Sequence, residues 1–420
     1  MSVFNRKGLL LSAATALLLN SMAFAQEATI EVLHYWTSGG ESKAAKALQM
    51  QFEENKGKWI DSPVAGGGGD AQAAVLRSRV LAGDPPGAVQ IKGPNIREWA
   101  EQDALENIDD VAKAENWDAL LPPLIKDVVT YEGHYVAVPV NIHRVDWLWV
   151  NPKALEKAGV KMPTNWDEFN AAAEKIKAAG IVPLAHSGGA GWDAMTLEIV
   201  ALGMGGADFY KKAFVELDDT TLRSDTMKKV YDQFGKLRGF VDPGYVGREW
   251  NLGTAMVMKG EAAMQIMGDW AKGEFSAAGL KPGSDYLCVP AFTNGGYDLN
   301  SDSFAFFKNS KGASNSEGKK LFAKLVLGES FQETFNLYKG SIPARIGVKR
   351  DKFDECAIRS MDDLDMAVKS NKLVPTMAHE MAVPRAIRGA MLDAITAFFN
   401  SKQSSDEGVK ALADAVAAAK

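Results

Sequence analysis

The apolar positions of this chain switch repeatedly between two periods. Thr29 to Tyr35, Trp59 to Pro63 and Gly87 to Ile91 read as strands, whereas Ser42 to Asn55, Asp70 to Ala82 and Asn95 to Gln102 carry helical spacing. Strands alternating with helices predict a parallel, doubly wound α/β sheet, because each crossover helix buries its apolar stripe on a sheet face. A hairpin follows between Asp127 and Val140, turning at Tyr131-Glu132-Gly133-His134. Asp146 to Val150 and Val182 to Ala185 then start a second α/β unit, with Pro152 at one helix start and Thr164 or Asn165 capping the next. Helices dominate from Trp192 to Lys259. A turn at Gly260 leads to a short buried strand and a helix capped near Asp269. Tyr286 to Phe292 and Asn300 to Phe307 are strand-like, Glu317 to Leu327 and Glu329 to Tyr338 are helical, and the rest is helical apart from a break at Val374-Pro375. No polar linker separates the two units; the chain crosses over near Val140.

The first 25 residues belong to a different class. Arg6 and Lys7 precede the short apolar run Gly8 to Leu19, and Ala23-Phe24-Ala25 is a small-x-small cleavage signal. A cleavable export leader is expected over residues 1–25, with Gln26 leading the mature chain in the periplasm. Of 420 residues, 47 are basic and 53 acidic, a net charge of −6 without any basic block, so nucleic acid is not an expected partner. Cys288 and Cys356 are free to pair in an oxidising compartment or to remain buried thiols; they lack zinc-ligand spacing and the setting of a catalytic thiol.

Chemistry concentrates where elements change over. His34-Tyr35-Trp36-Thr37-Ser38-Gly39-Gly40-Glu41 joins a strand to a helix, the place where open α/β sheets bind ligands. Taken alone it reads as core aromatics beside a helix cap. Ala65-Gly66-Gly67-Gly68-Gly69-Asp70 lacks the Gly-Lys-Ser/Thr ending of a nucleotide loop and reads as a turn with Asp70 capping the next helix. Lys92, after a buried strand and before Gly93, and Lys339, before Gly340, are solvated or aimed into a cleft, and the adjoining glycines favour the cleft. Asp302 interrupts a strand-like run, as a cleft group or a turn residue. Trp270 is either a cleft wall or core. His34, His134, His143 and His186 lack metal-ligand spacing, and neither metal nor cofactor is expected.

The order of Trp147 to Lys153 before Trp166-Asp167-Glu168-Phe169, then Lys259-Gly260-Glu261-Ala262-Ala263-Met264, Gly268-Asp269-Trp270 and Ser341-Ile342-Pro343-Ala344-Arg345, behind an export leader, resembles the periplasmic substrate-binding proteins of carbohydrate ABC transporters. These include the maltose- and glucose-binding proteins. The stretch Tyr35 to Glu41, with Lys92, Lys339 and His379, is similar to the glucose/monosaccharide branch, with Tyr35 in place of a tryptophan. The resemblance implies a two-lobed α/β fold of the Venus-flytrap type, with residues 26–140 plus 305–345 in one lobe and 141–304 plus 346–420 in the other. It implies a non-catalytic, monomeric protein that clamps a monosaccharide, glucose or a close relative, and feeds an ABC importer's permease. Tyr35, Trp36, Glu41, Lys92, Trp270, Asp302, Lys339 and His379 would form the clamp. An oligosaccharide binder remains open on the same fold. A polyol-phosphate ligand suits arginine better than Glu41 and Asp302. A secreted glycosidase needs two carboxylates about 5–9 Å apart, which Glu41 with Asp302 or Asp269 would have to supply.

Overall fold

The computed structural model describes residues 27–308, 310 and 314–420; the leader expected over residues 1–25 lies outside them. One five-stranded sheet has the order Lys58–Pro63, Thr29–His34, Ala88–Ile91, Ser303–Phe306, Ala137–Pro139. Its first three strands are parallel, as the alternating pattern predicted, and Ser303–Phe306 runs antiparallel to both of its neighbours. A four-stranded sheet has the order Leu287–Pro290, Trp147–Val150, Ala262–Ile266, Val182–Leu184. The strands Trp147–Val150 and Ala262–Ile266 are buried at every residue; the first therefore reads as a continuous apolar run, and the one polar residue of the second, Gln265, is paired with Thr254 and the Trp250 carbonyl.

Each sheet carries its own apolar core. One core gathers Ile30, Leu48, Phe52, Val89, Trp117, Phe304, Phe322 and Phe335; the other gathers Trp147, Trp149, Phe169, Phe214, Tyr231, Phe275, Leu392 and Phe398. The helix Glu355–Lys369 turns Ala357, Met361 and Ala367 toward the first core, so that core extends along the chain past Arg345.

What joins the lobes is a third sheet, ordered Leu373–Pro375, Tyr297–Asn300, His143–Arg144. The run read as one strand from Asn300 to Phe307 is two: Tyr297–Asn300 belongs to this joining sheet, Ser303–Phe306 to the five-stranded one. The bend between them is Ser301-Asp302. A parallel bend at Val140 to Ile142 carries the chain from Ala137–Pro139 to His143–Arg144. The two crossovers are laced together. Val140 N donates to Asp302 O at 2.8 Å, Ser301 Oγ to Asn141 O at 2.7 Å and Asp302 N to Asn141 Oδ1 at 3.0 Å.

One local expectation changes, and one alternative is settled. Gly69, at φ 94°, precedes the helix Asp70–Leu81, so Asp70 is the first helical residue and not its cap. Its carboxylate reaches Arg385 at 3.2 Å and Arg388 at 3.1 Å instead. Cys288 and Cys356 are disulfide-bonded, with Cα atoms 6.0 Å apart.

Candidate functional site

A cavity between the lobes is lined by Tyr35, Glu41, Lys92, Trp270, Asp302, Lys339 and His379, seven of the eight residues singled out from sequence. Trp36 is not among them. It is buried against Phe304, with ring centroids 5.5 Å apart, and Phe335 at 4.9 Å. Consecutive side chains of an extended chain point to opposite sides, so with Tyr35 facing the cavity Trp36 faces the core. Trp36, expected among the clamp residues, is packed in the core instead.

The floor of the cavity is Asp302, held at the bend between two sheets. Its Oδ1 accepts from Tyr35 Oη and Gln90 Nε2, both at 3.1 Å. Its Oδ2 accepts from Asn141 Nδ2 and meets His143 Nε2, both at 3.2 Å. Burial alone would push this carboxyl up, but the His143 hydrogen bond and the charges of His143, Lys339 and Lys92 outweigh it and hold the group far below the usual carboxylate range. His143 joins a second carboxylate on its other nitrogen, Asp269. Burial pulls the imidazole pKa down and Asp269 more than restores it, so the net direction is upward. Asp269 had been expected to cap the helix Trp270–Ala277. Its side chain makes no cap bond there; it turns back to His143 and to Arg144 N at 3.0 Å.

Polar groups from the two lobes converge above this floor. Lys339 Nζ donates to Glu41 Oε1 at 3.0 Å, and Ser38 Oγ lies 3.1 Å from Glu41 Oε2. Lys92 Nζ donates to Gly68 O at 3.3 Å and sits 5.3 Å over the Tyr35 ring. Burial first, then the charges of Lys92, Arg388 and His143, push His379 well below the ordinary histidine range, so it is a neutral imidazole. Its Nε2 is buried without a partner, as are Asn300 Oδ1 and Trp270 Nε1 in the same lining. Buried polar atoms are normally paired; these three face one cavity with their hydrogen-bonding capacity unused.

Four lining residues besides Gly68 were missed: His143, Trp192, Trp250 and Asn300. His143 was set aside with the histidines that lack metal spacing, although its place at the crossover was a usable signal. The glycine run read as a turn is a wall of the site. A Cβ on Gly67 would come within 2.8 Å of the Trp250 ring, and one on Gly69 within 2.9 Å of the Tyr35 ring. The space enclosed between the lining atoms is small, with the walls standing close together.

The arrangement does not supply a glycosidase pair. A general acid needs a raised pKa, yet Asp302 is lowered and hydrogen-bonded on both oxygens, and Asp269 is engaged by His143 and Arg144. Among the described residues no group of three or more His, Cys, Asp or Glu side chains is placed to hold a metal ion, and no helix is long and apolar enough to cross a membrane.

The chain is 47% identical over 414 residues to a "probable sugar-binding periplasmic protein" of Brucella melitensis, covering 97% of each chain. It is 43% identical to a protein of the same description from Rhizobium meliloti, covering 99% of this chain and 100% of that one. The solved structure of the bacterial solute receptor AcbH, described as having an exclusive preference for β-D-galactopyranose, superposes with a TM-score of 0.76 at 19% identity. That superposition covers 92% of this chain and 97% of AcbH, and it shows the shared two-lobed fold. Residues 36–332 match the family described as bacterial extracellular solute-binding protein. The chain belongs to that family, whose members bind solutes rather than transform them.

Proposed function

We propose that this protein captures a monosaccharide, glucose or a close relative, in the periplasm and delivers it to an ABC importer. The observation that carries the reading is the combination in one small cavity of aromatic walls and unpartnered buried polar atoms. Trp192, Trp250 and Trp270 offer apolar faces, while His379 Nε2, Asn300 Oδ1, Glu41 and the two lysines offer donors and acceptors for hydroxyls. The space enclosed between the lobes is small, which suits one ring better than a chain of rings. Relatives named for sugar binding that match nearly the full length support the same class of ligand.

The mechanism is hinge closure. The lobes are the two cores, and they rotate about the crossovers Val140 to Ile142 and Ser301-Asp302. Sugar stabilises the closed form because only that form brings both lobes' contacts to it. The protein acts as a monomer, is exported by the leader in residues 1–25, and docks loaded on the permease. Isothermal titration calorimetry against glucose, galactose, mannose and xylose tests this. Glucose is expected to bind with a micromolar constant, roughly −8 kcal/mol; no heat from any of the four would sink the monosaccharide assignment.

A further inference from the structure

We propose that Glu274, which is not among the residues lining the cavity, is a positioning residue of the sugar site and a latch of the closed form; this rests on the sugar-capture reading above. The helix Gly39–Glu54 has no side-chain cap of its own. Its first turn is satisfied from elsewhere: Gly40 N donates to Glu274 Oε1 at 2.7 Å, and Ser38 Oγ lies 2.9 Å from the same oxygen. A carboxylate is the group a helix N-terminus favours, since the unpaired amides and the helix dipole both present positive charge.

The cap crosses between the lobes. Glu274 belongs to the helix Trp270–Ala277, whose Trp270, Ala271 and Phe275 lie in one core, while the helix Gly39–Glu54 buries Ala44, Leu48 and Phe52 in the other. The seam between them admits no side chain. A Cβ on Gly40 would meet the Gly273 carbonyl carbon at 2.6 Å, one on Gly273 the Tyr338 carbonyl oxygen at 2.7 Å, and one on Gly340 the Asp269 carbonyl oxygen at 2.4 Å. Parting the lobes breaks these approaches and returns Gly40 N and Glu274 to water. The pairing therefore favours the closed form alone. It also touches the ligand machinery, because Ser38, between Glu274 and Glu41, helps hold the carboxylate that takes Lys339.

Two variants test the latch, each titrated calorimetrically with whichever monosaccharide the wild type binds. Small-angle scattering with and without sugar and ligand-free melting curves accompany the titrations. Gly40→Ala is expected to leave ligand-free melting equal to or above wild type, since alanine is the better helix former. Its sugar affinity should fall about tenfold, the order of one charged hydrogen bond, and sugar should no longer bring the radius of gyration to the wild-type value. Glu274→Gln keeps an acceptor for Gly40 N and loses the charge. Its affinity should fall by a smaller factor, about threefold, through faster dissociation, with ligand-free melting unchanged. A residue that merely stabilised the fold would move melting and leave affinity alone. Affinities within about twofold of wild type for both variants overturn the latch while leaving the sugar reading intact. A wild type that binds no monosaccharide counts against the sugar reading. The ligand-free radii then decide the latch: Gly40→Ala should be larger than wild type, and equal radii overturn it.

Discussion

At the scale of single residues, Tyr35 and Trp36 separate two roles that adjacency in sequence merges. Trp36 fills the first core beside Phe304 and Phe335. Trp36→Ala should therefore cost about 3–5 kcal/mol of stability, as large aromatic truncations in cores do, measured by urea denaturation in the absence of sugar; a loss of binding with full stability would contradict its placement. Tyr35→Phe removes one donor from Asp302 and leaves Gln90, Asn141 and His143 in place. A stability loss of about 1.5–3 kcal/mol, the range for a hydrogen bond to a charged group, is expected, together with altered sugar preference in a calorimetric panel. Asp302 and His143 also set a pH dependence. The folded-state pKa of Asp302 is depressed, so its stabilisation is present above the unfolded value of about 3.9 and fades as pH falls below it. The pKa of His143 is raised, so its stabilisation is full below about 6.5 and is lost as pH rises through the higher folded value. Thermal melts of His143→Gln across this range should lack the alkaline component.

At the scale of elements, two features of the joining region carry consequences. The disulfide Cys288–Cys356 ties the strand Leu287–Pro290 to the helix Glu355–Lys369, and closes a long loop between cysteines 68 positions apart. Replacing both by serine should cost about 2–4 kcal/mol in denaturant titration. In the strand Tyr297–Asn300, Asp298 is buried with neither carboxyl oxygen receiving a donor. Burial first, then the charges of Glu198 and Asp146, raise it well above the ordinary carboxylate range. Glu198 beside it already takes Tyr210 Oη at 2.7 Å, Thr376 Oγ1 at 2.6 Å and Met377 N at 2.7 Å. A raised carboxyl pKa in the fold means stability falls as pH climbs above the unfolded value. Asp298→Asn, which removes the buried titrating carboxyl, should flatten that fall above about pH 4; an unchanged slope of melting temperature against pH would refute Asp298 as its source.

At the scale of the whole molecule, function depends on two lobes meeting over one cavity. Ion pairs such as Asp70 with Arg385 and Arg388 join groups on opposite sides of the cleft. A sugar that binds the folded chain and not the unfolded one should, at one hundred times its dissociation constant, add about 2.7 kcal/mol to the unfolding free energy, read as a concentration-dependent rise in melting temperature. Small-angle scattering should show a smaller radius of gyration with sugar than without.

The order of strands and helices and the two-unit plan were legible in the sequence pattern; the seven residues that line the cavity were singled out by junction position together with the family resemblance, His379 by the resemblance alone. Strand-to-helix junctions are local features, and in α/β sheets they are where ligand groups collect. Three outcomes were decided only by tertiary structure. Which of two neighbouring aromatics faces the cavity followed from the side of the sheet that was buried. Asp269 and Asp302 were ambiguous between cap, turn and cleft because their partner, His143, lies 126 and 159 residues away in the chain. The glycine run at 65–69 and Gly39-Gly40 read as flexible turns because sequence shows only that a side chain is missing. The fold shows what occupies that space: tryptophan rings at one run and the backbone of the opposite lobe at the other. Periodicity specifies which face of an element is apolar; it carries no information about which distant element that face, or that gap, will meet.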